Sequence, residues 1–152
     1  MLNLSNSQIF QITYCGVLLL INIISSAGFN RFIDLSFLKN KDVTPLVNRI
    51  VSSLHAIILF YCSFSYWIFM AGIWQLFEIP REGSVDNWQG MCIDLMIGYI
   101  YYDIIIDIIP EILVKGSGEY LMVAHHVIGL ISLLMIRSHD FAPGAHYFLI
   151  IF

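Results

Sequence analysis

"EYLMVAHHVIGLISLLMIRSHD", residues 119–140, sets two adjacent histidines into a run otherwise dominated by Leu, Ile, Val and Met. Tyr120 to Ile136 contains no Asp, Glu, Lys or Arg, and as a helix rising about 1.5 Å per residue it reaches ~25 Å, close to the ~30 Å hydrocarbon core of a bilayer. The run reads as a rather short membrane span. His125 and His126 are then imidazoles held where water is scarce, within two turns of Tyr120 and hence in the shallow half of the span.

The same reading extends to both sides. Ile9 to Gly28 supplies another apolar run of spanning length, and no charge occurs from Met1 to Asn30. A cleaved signal is the rival reading for residues 9–28, but no Lys or Arg precedes the apolar core, so a first span is expected. Residues 29–49 carry Arg31, Lys39, Lys41, Arg49 and Pro45 and read as a polar loop. Ile50 to Phe77 is a second span, ending in Trp67, Trp74 and Phe77 as an interfacial belt does. "EIPREGSVDNWQG", 78–90, is a turn; Met91 to Val114 is a third span, and Tyr120 to Ile136 the fourth. "RSHDFAPG", 137–144, reads as a loop, and Ala145 to Phe152 as the start of a fifth helix that a longer natural chain would complete.

The expected fold is therefore all-α: a polytopic bundle of four complete spans and the start of a fifth. It divides into a first helix with its loop, 1–47, and a membrane domain over 48–152. The bulk composition agrees, since 59% of the residues are hydrophobic and 12% charged, against about 25% charged in a soluble domain. Nucleic acid is not an expected partner, because the net charge is −4 and no basic run occurs. Cys15, Cys62 and Cys92 are widely spaced and apolar in setting, which argues for packing residues and against a disulfide framework or a metal site. Lys and Arg concentrate in 29–49 and 115–119, so the positive-inside rule assigns these loops to the cytosol.

Acidic residues inside the third span are the next anomaly. A charge near mid-bilayer costs about 2.5–3.5 kcal/mol on insertion scales, so such groups face protein or water. Asp103 and Asp107 stand four residues apart, on one helical face with Tyr99 and Met96. Asp94 and Glu111 lie nearer the ends and are expected to be solvated, and Pro110 should kink or end the helix. Adjacent histidines diverge by about 100° on a helix. His125 therefore shares a small, polar face with Gly129 and Ser132, and His126 a face with Leu130, Leu133 and Arg137. The HxxxH and HxxHH clusters of non-haem iron membrane enzymes are absent, so no metal is expected. Haem ligation between His55 and one of the pair, acid/base or nucleophilic work with Asp103 or Asp107 orienting an imidazole, and a simple His–Asp packing contact all remain open on the residues alone.

"NRIVSSLHA" (48–56), "IGYIYYDIIID" (97–107) and "AHHVIGLISLL" (124–134), in that order, resemble the TLC-domain family, which includes the ceramide synthases and the translocation-associated membrane protein. The resemblance covers roughly residues 48–152. It implies a multi-helix bundle of the endoplasmic reticulum or another endomembrane, enclosing a lipid-accessible cavity. It further implies that Arg49, His55, Tyr99, Tyr102, Asp103, Asp107, His125 and His126 serve lipid binding, with membrane lipids as partners. If the chain is an enzyme, His125, His126 and Asp103 are its catalytic residues and acyl-CoA its co-substrate; otherwise no cofactor is implied. The longer ceramide synthase motif does not follow the pair here, since "RSHDF" arrives at once, and the chain looks closer to the non-synthase branch.

Overall fold

Each apolar run becomes a helix, because a bilayer leaves no water to satisfy the backbone and an α-helix satisfies its own N–H and C=O groups. The computed structural model describes residues 4–32, 44–71, 85–110, 112–113 and 120–151, and among these the regular structure is entirely helical, with no strand. The helices are α1 (Asn6–Phe32), α2 (Thr44–Ser65), α3 (Asn87–Asp103), α4 (Tyr120–Ser138) and α5 (Ala142–Ile151). Three of them, α1, α2 and α4, contain stretches long and apolar enough to cross a membrane: Asn6–Gly28, Pro45–Phe69 and Tyr120–Ser138. The protein is an integral membrane protein on that evidence. Its exposed Leu20, Ile23, Ile57, Phe60, Ile128 and Met135 are the apolar exterior such a setting requires.

Local sequence explains the boundaries. Ser5 and Gln8 open α1 reciprocally: the Gln8 N–H donates to Ser5 Oγ at 3.2 Å and the Ser5 N–H to Gln8 Oε1 at 2.9 Å. Asp86 and Gln89 do the same for α3, at 2.7 and 3.2 Å. The α2 helix starts at Thr44, well before Ile50; Pro45 stands in its first turn, where the missing N–H has no partner to lose. Its last part widens into a π-helical segment, Tyr66–Ala71.

The expected loop 137–144 is mostly helix. Arg137 lies in the last turn of α4, a turn occupies 139–140, and α5 begins at Ala142 with Pro143 in its first turn. Asp140 adopts φ 53° there, a left-handed conformation that Asp tolerates better than most residues. Its carboxylate accepts the Val85 N–H at 2.7 Å, tying this turn to the start of α3.

The third expected span is where the fold departs most from the apolar-run picture. Regular helix covers 17 residues, Asn87–Asp103, and gives way to a π-helical turn, Ile104–Ile108, in which the Ile109 N–H reaches back to Ile104 O. Pro110 accounts for the change: it has no N–H for the carbonyl four residues earlier, and the ladder resets by one residue just before it. Although α3 is not among the three membrane-spanning candidates, it is the axis of the bundle. It packs against α1, α2, α4 and α5 and is buried on every side, from Gln89 to Asp103. Side-chain contacts give the directions: Ser7 meets Asp94 and Asn22 meets Tyr102, so α1 runs with α3. His126 meets Asp103 and Arg137 meets Asp94, so α4 runs against it, as α2 does.

Two apolar clusters complete the interior. One joins α2, α3, α4 and α5 through Leu59, Trp67, Ile93, Ile97, Leu133 and Phe148; the other joins α1, α2 and α3 through Leu18, Val47, Val51 and Tyr102. The free Cys15 and Cys92 are buried within these clusters as small apolar groups. The ten residues of α5 make about 15 Å of helix, half a hydrocarbon thickness, and its His146 ring meets Trp67 edge-on, centroids 4.9 Å apart.

Candidate functional site

The α3 axis carries polar residues at both ends, and a cavity lies between them. At the N-terminal end Asp94, 4% exposed, receives Ser7 Oγ–H and Gln11 Nε2–H on Oδ1, each at 2.7 Å. Arg137 reaches the same carboxylate with Nε at 3.2 Å and lies against Gly90, where an added Cβ would stand 3.1 Å from Cζ. The expectation that Asp94 is solvated is thus overturned. Its position near a helix end suggested water, but α1 and α4 both turn polar side chains onto it.

At the other end Asp103 Oδ2 lies 2.6 Å from His126 Nε2, with both side chains largely shielded, 9% and 14% exposed. His126 Nδ1 is 2.9 Å from the backbone carbonyl of Met122. A carbonyl oxygen only accepts, so Nδ1 carries a hydrogen. Nε2 then meets Asp103 in one of two ways, as imidazolium facing carboxylate or as neutral imidazole facing carboxylic acid, with one shared proton and zero net charge in either case. Both nitrogens of His126 are therefore engaged. The Asn48 side chain also lies near the Asp103 carboxyl.

Asn48 leads into a buried chain on the far side of α3. Its Oδ1 accepts the Tyr102 hydroxyl at 2.7 Å, and Asn22 Nδ2 donates to that hydroxyl oxygen at 2.8 Å. Tyr102 is fully buried and faces α1 and α2; it does not reach the cavity, because the residue next to Asp103 must point about 100° away. Tyr102→Phe should lower stability by roughly 1–3 kcal/mol, by leaving two buried amide groups short of a partner. The unfolding midpoint of the variant in detergent checks this.

The cavity has a volume of about 610 Å³ and lies among α3, α4 and α5, within the usual size range for small-molecule sites. Tyr99, His125, His126, Gly129 and Ser132 line it, together with apolar side chains such as Phe148. His125 and Ser132 are exposed, so the cavity opens at the bundle surface. The His125 and His126 rings stand edge to face, centroids 5.6 Å apart. The Ser132 hydroxyl donates to Ile128 O at 2.8 Å, which spends its hydrogen and leaves its lone pairs free.

The remaining expected site residues sit elsewhere. His55, 3% exposed, is separated from the cavity by Tyr99, whose ring stacks on it at 4.1 Å and 3°. Its Nδ1 meets Tyr14 OH at 3.0 Å, and its Nε2 has no hydrogen-bond partner among the described residues. The Tyr99 hydroxyl turns away from the cavity to donate to Ser52 at 3.0 Å. Asp107 is half-buried and does not line the cavity. Arg49 is exposed on α2. Glu111 lies outside the described residues.

Sequence reasoning missed Gln11, Asn22, Asn48 and Ser7. Gln11 and Asn22 are lone amides in an apolar run, a signal in a membrane helix because they need a partner there; Ser7 stands in the polar stretch 5–8 and Asn48 beside Arg49, where no such signal exists. Among the described residues no three His, Cys, Asp or Glu side chains converge as a metal site would require. Comparison of the chain with family models, with curated proteins and with solved structures finds no match.

Proposed function

We propose that this chain handles or senses membrane lipid, binding one lipid molecule in the cavity beneath the paired histidines. The carrying observation is the join of an apolar, laterally open cavity of about 610 Å³ to the His126–Asp103 contact at 2.6 Å. A lipid has the matching shape, a long apolar body with one polar end. On this reading α3 is a further span: it runs beside α1, α2 and α4 over the same stretch, and its acidic groups are each met by neighbours. The bundle then has four spans and the start of a fifth, with the loops at 29–49 and 115–119 in the cytosol. The resemblance of 48–56, 97–107 and 124–134 to the TLC-domain family supports the same assignment and an endoplasmic reticulum or other endomembrane location.

An N-acyltransferase of ceramide synthase type, using acyl-CoA, is the second reading, favoured by the carboxylate seated on His126. A general base needs a free ring nitrogen facing its substrate. His126 has none, since one nitrogen meets Met122 O and the other Asp103. Catalysis would fall to His125, which no carboxylate orients among the described contacts. Binding is therefore the better supported role.

The test is photo-crosslinking of membranes containing the full chain with a lipid carrying a diazirine in its acyl tail. His125→Ala, at an exposed position, and Gly129→Leu, which fills the cavity and leaves both histidines in place, should each reduce labelling of α4 peptides by roughly tenfold, the equivalent of about 1.4 kcal/mol of binding. Unchanged labelling in both variants, with unchanged cellular lipid composition, would refute the reading.

A further inference from the structure

We infer that the cavity selects an uncharged lipid with a free hydroxyl end and discriminates against lipids ending in a carboxylate, a phosphate or an amine. The inference rests on the lipid-binding reading and specifies its ligand.

Charge carries the argument. None of the residues lining the cavity is Lys or Arg. Among the described residues with placed side chains, Arg137 is held by Asp94 at the opposite end of α3, and Arg49 is exposed on α2. Among the described residues the ionisable groups at the cavity wall are His125, His126 and the Tyr99 phenol, with Asp103 behind His126. The His126–Asp103 pair shares one proton and has no net charge, whichever atom holds it. The ring's hydrogen-bonding capacity is also spent, with Nδ1 on Met122 O and Nε2 on Asp103. An anionic head entering this wall would lose its water and meet no Lys or Arg among the described lining residues. A cationic head would meet no carboxylate among the described lining residues, because Asp103 lies behind His126.

Hydrogen-bond chemistry supplies the positive side. The groups left to a ligand are the two ring nitrogens of His125, one donor and one acceptor when neutral, and the Ser132 oxygen, which accepts because its hydrogen goes to Ile128 O. A hydroxyl both donates and accepts, so it can give its hydrogen to Ser132 Oγ or to the acceptor nitrogen of His125, or take the N–H of that ring on its oxygen. Ester or hydrocarbon ends leave the Ser132 acceptor unused. Apolar Met96, Ile100, Leu133 and Ile136 provide for the tail.

The experiment uses the full chain in lipid nanodiscs and four photoreactive probes with the same tail, ending in a primary alcohol, a carboxylate, a phosphate monoester or a primary amine. The alcohol should label α3 and α4 cavity peptides at least tenfold more than each charged probe, a ratio of about 1.4 kcal/mol, and unlabelled long-chain alcohol should compete. Ser132→Lys, a substitution at an exposed position, introduces the missing cation and should move the preference to the carboxylate and phosphate probes. Equal or stronger cavity labelling by any charged probe overturns the selectivity while leaving lipid binding intact. Failure of all four probes to label the cavity overturns the lipid-binding reading itself. A Ser132→Lys protein that labels like wild type would show that charge at this wall does not select, and would also overturn the inference.

Discussion

Gly98→Ala will separate α1 from α3 and destabilise the protein by roughly 1–3 kcal/mol, the range for overpacking a closely fitted interior. A Cβ built at Gly98 would stand 2.7 Å from the backbone oxygen of Gln11 and 3.1 Å from the Tyr14 ring. A backbone atom cannot rotate aside as a side chain does, so the helices themselves must part. In a bilayer this is a severe loss, because helix association there depends on close packing and not on hydrophobic transfer. The Gln11–Asp94 bond and the Tyr14–His55 contact lie on the same seam and should weaken with it. Gly16→Ala is the internal control. It has nothing within 4 Å of the added carbon, so it should be neutral or gain up to about 1 kcal/mol from the better helix propensity of alanine. Unfolding midpoints of both variants in the same detergent decide the matter; equal stability would mean that α1 and α3 are not in contact at Gly98.

The second large effect is expected at Asp94. Asp94→Leu removes the acceptor for Ser7 and Gln11 and the partner of Arg137. Gln11 Nε2 keeps Ser7 Oγ at 3.0 Å, so the half-buried Ser7 hydroxyl is the stranded donor, at a cost of up to about 1–3 kcal/mol, and breaking a buried ion pair from one side falls in the range of about 3–5 kcal/mol. Arg137 itself is 33% exposed along its side chain and can turn to water, so the loss should lie toward the lower end, near 3 kcal/mol. Arg137→Ala should cost less, since Asp94 keeps two hydrogen bonds. A double-mutant cycle over Asp94 and Arg137 measures their coupling directly. Were Asp94→Leu to unfold at the wild-type midpoint, the three-helix junction would not exist in the membrane.

Cavity and junction differ in how far the sequence announces them. The His125 face with Gly129 and Ser132 follows from 100° steps around a helix, and the structure turns these three residues into the cavity wall. That one histidine of the pair would find an acid was legible as well, because an imidazole and a carboxylate in neighbouring apolar runs each need a partner there; that it is His126 was not. Which acid was not legible: Asp103 and Asp107 lie within about 40° of each other on a regular helix, and only the packing of α4 puts His126 on Asp103. His55 was grouped with the pair through the resemblance carried by 48–56, and Tyr99 stands between them.

The order of apolar runs along the chain determined by itself that this protein is helical and embedded in a bilayer, since length and hydropathy are local properties and each helix satisfies its own backbone. Only the tertiary structure decided that α3, the most acidic of the helices, is the central one, and that Asp94 is buried while Arg49 is exposed. Burial of a polar group depends on what neighbouring helices bring to it. The partners of Asp94 come from residues 7, 11 and 137, and separations of that size leave no trace in local periodicity.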